Sequence, residues 1–308
     1  YDQSSGEQVW RFWSVPSAGP DENEDVALAR TTWSQNTRWE YGGGGTVWDS
    51  MVYDADLGLV YIGVGNGSPW PAWIRNSGER PDNLYLSSIV AVDVKTGKRV
   101  WHYQTTPADS WDYTATQHMI LADLEIDGRM RQVIMQAPKN GFFYVLDRKT
   151  GALLSAEPFV PVTWASHIDL STGRPVKMQT ADFEGKEALV LPSVTGAHNW
   201  HPMAYHPETE LVYFSTLELP AVLKENFQYP EFVPLSRNQR TTVVEIDPNR
   251  HREILAHAPE LVLQSILKAW DPKTGKLAWA SEPMPYWGGG VLASAGNLVF
   301  QGSPDGYF

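Results

Sequence analysis

The phrase Asp93-Val94-Lys95-Thr96-Gly97-Lys98-Arg99-Val100-Trp101 sets an Asp, a Thr-Gly turn and a Trp eight residues after the Asp. It returns as Asp271-Pro272-Lys273-Thr274-Gly275-Lys276-Leu277-Ala278-Trp279 and, more loosely, at the start, where Asp2 leads through Ser5-Gly6 to Trp10. A fourth copy, Asp147-Arg148-Lys149-Thr150-Gly151, carries Ser155 at the Trp position; a fifth, Asp169-Leu170-Ser171-Thr172-Gly173, keeps only the turn. One copy alone is equally well an ordinary hairpin turn. Three copies with one Asp-to-Trp spacing are the signature of a repeat architecture.

Each copy joins two strand-like runs. Ser88-Ile89-Val90-Ala91-Val92 precedes the turn and Arg99-Val100-Trp101-His102-Tyr103 follows it, the pattern of a β-hairpin. The Asp and Thr side chains are suited to hydrogen-bonding the turn backbone, and the Trp to packing on a neighbouring sheet. Similar hairpin strands are read at Gly141-Phe142-Phe143-Tyr144-Val145-Leu146 and Asn297-Leu298-Val299-Phe300-Gln301. Helical periodicity is scarce, with one short candidate at 256–267. Many short strands with Gly and Pro turns predict an all-β chain, and the repeat predicts a propeller.

Bulk composition agrees. The 308 residues include 14 Trp, an excess that suits a Trp-per-blade scaffold and argues against a helical or Rossmann enzyme. The net charge of −12, with no basic stretch interleaved with aromatics, argues against nucleic-acid binding. No apolar run approaches the roughly 18–20 residues of a membrane span. Without Cys there is no disulfide, Cys-based zinc site or haem attachment motif within 1–308. Both ends fall inside repeat phrases, which predicts that 1–308 is one partial propeller domain of a longer chain.

Five segments carry possible chemistry. Tyr41-Gly42-Gly43-Gly44-Gly45-Thr46-Val47-Trp48-Asp49 would let a flat ligand approach the backbone and stack on Trp48, or is a glycine-rich loop beside a core Trp. In Gly65-Asn66-Gly67-Ser68-Pro69-Trp70 a tight turn would present an amide oxygen of the kind Ca²⁺ accepts, or simply holds an Asn at positive φ. Asp109-Ser110-Trp111-Asp112-Tyr113-Thr114 places two carboxylates three apart; one could be a general base, or both could cap a turn. Lys139 in Pro138-Lys139-Asn140-Gly141 would hold an anionic oxygen, or be a solvated loop Lys. His198 and His201 in Gly196-Ala197-His198-Asn199-Trp200-His201-Pro202 invite a metal reading, but no third ligand has suitable spacing.

In order along the chain, GGGGTVWDS, GVGNGSPW, TPADSWDYTATQ, APKNGFFYVLDRKTG, GAHNWHPMAYHP and YWGGGVLASAGNLVFQG resemble the pyrroloquinoline quinone (PQQ)-dependent alcohol dehydrogenases. GNGSPW and APKNGFFYVLDR look most like the ethanol-type quinoprotein and quinohaemoprotein branch. The resemblance implies an eight-bladed β-propeller of the periplasm, about half of whose blades are present in this chain, with PQQ and Ca²⁺ on its axis. It implies Trp48 as the floor under PQQ, Thr46 and Lys139 as cofactor contacts, and Asn199, Trp200 and Trp287 as lining of the same site. Asn66 and Asp112 would be Ca²⁺ ligands, and Asp112 the base, with Asp109 the fallback. The implied reaction takes a proton and a hydride from a small alcohol and passes electrons to a cytochrome c or similar acceptor. The family's calcium-binding Glu, adjacent-Cys ring and active-site Arg belong to earlier blades that this chain lacks. Haem c would need a domain outside it. Lanthanide-dependent relatives carry an Asp two residues after the base, where this chain has Thr114. The rival readings are a non-catalytic assembly scaffold with the same repeat and a polyol or sugar dehydrogenase.

Overall fold

The computed structural model describes residues 1–20, 23–227, 232–234, 236, 238–244, 265–284 and 287–308. Three four-stranded antiparallel sheets follow one another, each a meander in chain order. The first is Met51–Asp54, Leu59–Gly63, Ser88–Asp93 and Arg99–Gln104. The second is Met119–Ile126, Arg129–Gln136, Phe142–Asp147 and Leu153–Pro158. The third is Ala204–His206, Leu211–Leu217, Ser265–Asp271 and Lys276–Ala280. Val291–Ser294 then pairs with Leu298–Gln301. These sheets are the blades of a propeller. Smaller sheets occupy the connections: the hairpin Ala165–Asp169 with Arg174–Lys177, and a three-stranded sheet of Ala188–Val190, Ala221–Glu225 and Thr241–Val244.

The repeated phrase occupies the same place in each blade. In the first, Tyr61, Ala91 and Trp101 stand side by side across three strands; in the third, Tyr213, Ala269 and Trp279 do. The Tyr and Trp rings lie 5.5 Å apart at 39° in one and 5.7 Å apart at 41° in the other. The second blade fills this row with Met135, Val145 and Ser155, so the copy without a Trp keeps the register.

The turns hold as expected from their side chains. The Asp93 carboxylate accepts from Lys95 N, Thr96 N and Thr96 Oγ1, and Asp147 repeats the set with Lys149 and Thr150. What the Trp does is dock one blade on the next. Trp10 Nε1 donates to Val94 O at 2.8 Å, and Trp101 Nε1 to Arg148 O at 3.1 Å. A Cβ on Gly97 would lie 2.5 Å from the Trp10 ring, and one on Gly151 2.6 Å from Trp101. The turn glycines are therefore required twice, for positive φ and for the indole above them. Glu157, two residues beyond Ser155, covers Gly275 instead of a Trp. Trp279 keeps its place within the blade but is 41% exposed.

Apolar side chains fill the gaps between blades. Tyr61, Ile89, Trp101, Ile134, Phe142 and Tyr144 belong to one buried cluster; Val133, Phe143, Val145, Phe214 and Trp270 belong to another. Two short helices escaped the sequence reading. Glu24–Arg30 starts at Asn23, whose side chain accepts from Asp25 N and Val26 N, and Ala72–Arg75 follows Pro71. The helix candidate at 256–267 lies outside the described residues up to 264. Its last three residues instead begin the strand Ser265–Asp271, because their alternate faces pack into the third blade.

Candidate active site

The five chemistry-bearing segments lie against one another in sequence. Gly43–Gly44 pairs with Gly67–Ser68. Gly45 N donates to Asn66 O at 2.9 Å, and Gly65 N to Thr46 O at 3.1 Å. At Gly44, φ is +92° and a Cβ would sit 2.3 Å from Asn66 O, so only glycine permits this approach. Thr46, exposed at the surface, and the half-buried Asn66 are thereby backbone neighbours. The Asn66 side-chain NH₂ donates to Gly67 O at 3.1 Å, which leaves its carbonyl oxygen as the ligand-capable end. The next segment is laced to both: Ala115 N donates to Val64 O and Ser50 N to Thr116 O, each at 3.1 Å.

Asp112 and Lys139 meet directly. Lys139 Nζ donates to Asp112 Oδ2 at 2.8 Å, with side-chain exposures of 6% for the Lys and 18% for the Asp. A buried ammonium thus stands behind a carboxylate that reaches the surface. Asp112 sits at φ +65°, a conformation a non-glycine residue holds only when its surroundings enforce it. Asp109 is fully buried, and burial lifts its carboxyl to about 7. The fallback base therefore does not reach solvent.

Lys139 O accepts from Ala197 N at 2.9 Å, which brings in the fifth segment. His198 faces Ala137 O through Nδ1 at 2.6 Å and His201 O through Nε2 at 2.9 Å. The neutral ring carries one N–H, so one of these two carbonyls accepts a hydrogen bond from it, and the ring is a tie between blades. Among the described residues no three His, Asp or Glu side chains gather as a metal site. The Asn199 amide is committed to its own loop, donating to Thr195 O at 2.8 Å and accepting from Trp200 N at 2.9 Å. Trp200, 54% exposed, stacks on His201 with centroids 4.1 Å apart at 22°. His201 in turn lies 4.5 Å from Trp287. The sequence reading named both Trp and weighed His201 only as a metal ligand, not as the ring that lies between them. Trp48, at 45% exposure, is another large open aromatic face in these segments.

Chemically, a surface-reaching carboxylate backed by an ammonium can accept a hydroxyl proton, while the ammonium holds a negative oxygen. The family model described as "Glucose/ethanol/alcohol dehydrogenase, beta-propeller domain", a PQQ family, matches residues 1–167. This chain belongs to that family. It is 48% identical to the quinohemoprotein alcohol dehydrogenase ADH IIB of Pseudomonas putida over 99% of the chain and 43% of that protein. The solved structure of quinohemoprotein alcohol dehydrogenase ADHIIG from Pseudomonas putida superposes with a TM-score of 0.88 at 46% identity, covering 99% of this chain and 45% of that one. A europium-containing methanol dehydrogenase superposes at 0.82 with 30% identity, covering 99% and 53%. The chain therefore spans less than half the length of the curated relative it matches.

The residues present suit the PQQ of this family. PQQ is flat and rich in anionic oxygen. The segments offer open indole faces at Trp48 and Trp200, one buried ammonium at Lys139, and an indole N–H on Trp287 that is buried without a protein partner. Two oxygen donors, on Asn66 and Asp112, are of the hard type that Ca²⁺ takes.

Proposed function

We propose that this protein is a PQQ- and Ca²⁺-dependent alcohol dehydrogenase of the periplasm. It converts primary or secondary alcohols to aldehydes or ketones and passes electrons to a cytochrome c or another respiratory acceptor. The observation that carries this reading is the Asp112–Lys139 pair at 2.8 Å, a base that reaches the surface with a buried cation behind it in a chain of this family. When bound, PQQ would supply the hydride acceptor and Ca²⁺ would supply Lewis acidity. Asp112 would take the hydroxyl proton of the alcohol, and Asp112 and the Asn66 amide oxygen are the residues of this chain that would hold the Ca²⁺. The Glu that the family carries in an earlier blade adds a further ligand. Lys139 and Thr46 would hold cofactor oxygens, and the open face of Trp48 would support its ring. Trp200 and Trp287, braced by His201 and by the Asn199 loop, wall the site and keep water from the reacting carbon.

The test is Asp112→Asn in the holoenzyme. The amide keeps the size of the side chain and loses the proton acceptor. Turnover is expected to fall by about 10²–10⁴-fold, with PQQ content, read from its absorption, held near the wild-type value. Turnover within a few-fold of wild type, by the order of magnitude such groups contribute, removes Asp112 from this role.

A further inference from the structure

We propose that Asp109 is the positioning residue that holds Asp112 in its working backbone conformation; the proposal rests on the reading of Asp112 as the base. Asp109 Oδ1 accepts the backbone N–H of Trp111 and that of Tyr113, both at 3.1 Å. Those are the two residues on either side of Asp112. One carboxylate oxygen therefore grips the chain just before and just after the base, and between the two grips φ is +65°. A non-glycine residue in that region costs about 1–3 kcal/mol, and the surroundings must overcome it.

The grip is itself fixed. Trp111 Nε1 donates to Ala181 O at 2.9 Å, and the Tyr113 hydroxyl donates to Pro192 O. Both rings pack against Trp164. On its other side, Asp109 is held by Arg75, whose side chain is fully buried. Arg75 Nη2 donates to Asp109 O at 3.0 Å and Nη1 to Trp70 O at 3.0 Å. Trp70 closes the loop that begins at Asn66, so one buried Arg joins the turn of the amide ligand to the clamp on the base. Asp109 has no exposed surface, and among the described residues its Oδ2 meets no donor. Its working atom is Oδ1, and what that atom does is bracket Asp112.

Acceptance of two N–H groups needs an oxygen at this position and no charge. Asn offers the same oxygen, and Ala offers none. The test compares Asp109→Asn with Asp109→Ala in the holoenzyme by two readouts, amide hydrogen exchange across 110–114 and steady-state kinetics. For Asp109→Ala, exchange there is expected to speed up by about tenfold or more as the bracket opens. Its kcat is expected to fall about 10²-fold with KM within about threefold, as a misplaced base predicts. Asp109→Asn is expected to stay within about threefold of wild type on both readouts. An Asn variant as impaired as the Ala variant overturns the proposal, because charge or a proton would then be the working feature. So does an Ala variant with wild-type exchange. If the Ala variant does not fold, the Asn variant decides alone by the same criterion. Exchange reports the clamp whether or not Asp112 is the base, so retained turnover in Asp112→Asn defeats the base assignment separately.

Discussion

At Asp112 the chain places a carboxylate where backbone energetics alone would place a glycine, and Thr114 two residues on bears on which ion the proposed site would take. Thr114 is 2% exposed. Its hydroxyl meets Thr116 Oγ1 at 3.1 Å and accepts from Gln117 Nε2 at 2.8 Å. A neutral group spent on a local cluster adds no anionic ligand, so the proposed donor set from this chain would be one carboxylate and one amide oxygen. That balances a divalent ion better than a trivalent one, and oxygen donors at about 2.3–2.6 Å are what Ca²⁺ takes. Apo-enzyme reconstituted with PQQ and Ca²⁺ is therefore expected to regain alcohol oxidation, and apo-enzyme with PQQ and La³⁺ is not. Recovery with La³⁺ alone would show that a ligand from another part of the protein sets the preference. The sequence made Asp112, Lys139 and Asn66 legible because each stands in a dense local phrase. It did not make Arg75 or the stacking role of His201 legible, since both exist only after distant loops meet: Arg75 reaches Asp109 across 34 positions, and His201 matters through the ring of Trp287.

Within an element, the repeated turn shows how local chemistry becomes blade docking. Asp, Thr and Gly close the hairpin by short-range hydrogen bonds, so this part was readable from spacing alone. The Tyr-Ala-Trp row across the first and third blades needed strand register, and the seats of Trp10 on Gly97 and Trp101 on Gly151 needed the structure. The helix Glu24–Arg30 could have been read from Asn23 followed by Glu24 and Asp25, an N-cap with acidic residues in the first turn. Two glycines separate the two demands on the turn. Gly128 has φ +71° with open space where a Cβ would go, whereas Gly151 has φ +74° with the Trp101 ring 2.6 Å away. Gly128→Ala should cost about 1 kcal/mol, for positive φ alone. Gly151→Ala should cost about 2–4 kcal/mol, because Trp101 must also leave its seat. Urea denaturation midpoints of the two variants check this. Equal losses would mean that the Trp does not depend on that glycine.

Across the whole molecule, packing blades against one another buries histidines whose desolvation outweighs whatever favours their charged form, Asp25 near His102 included. Burial pulls His102 and His198 down to about 4, and lowers His118 and His201 in the same direction. The unfolded chain, with His near 6.5, binds more protons than the folded one between those values. Stability from these groups is thus complete above about pH 6.5 and is lost as pH falls toward 4, at up to about 1.4 kcal/mol per pH unit for each His. Asp109 acts oppositely. Its folded value of about 7 stands above the unfolded value, so the folded state binds the extra proton and gains stability on acidification. Asp49, raised by burial, shares that sign. Two strongly shifted histidines and two further ones outweigh the two carboxyls, so unfolding free energy should fall as pH is lowered from about 7 to 4.5. Replacing Asp109 by Asn removes one opposing group and should steepen the fall. Denaturant midpoints collected across that range measure both slopes. A wild-type curve that is flat or rises on acidification would mean that the buried histidines open to solvent before the blades separate.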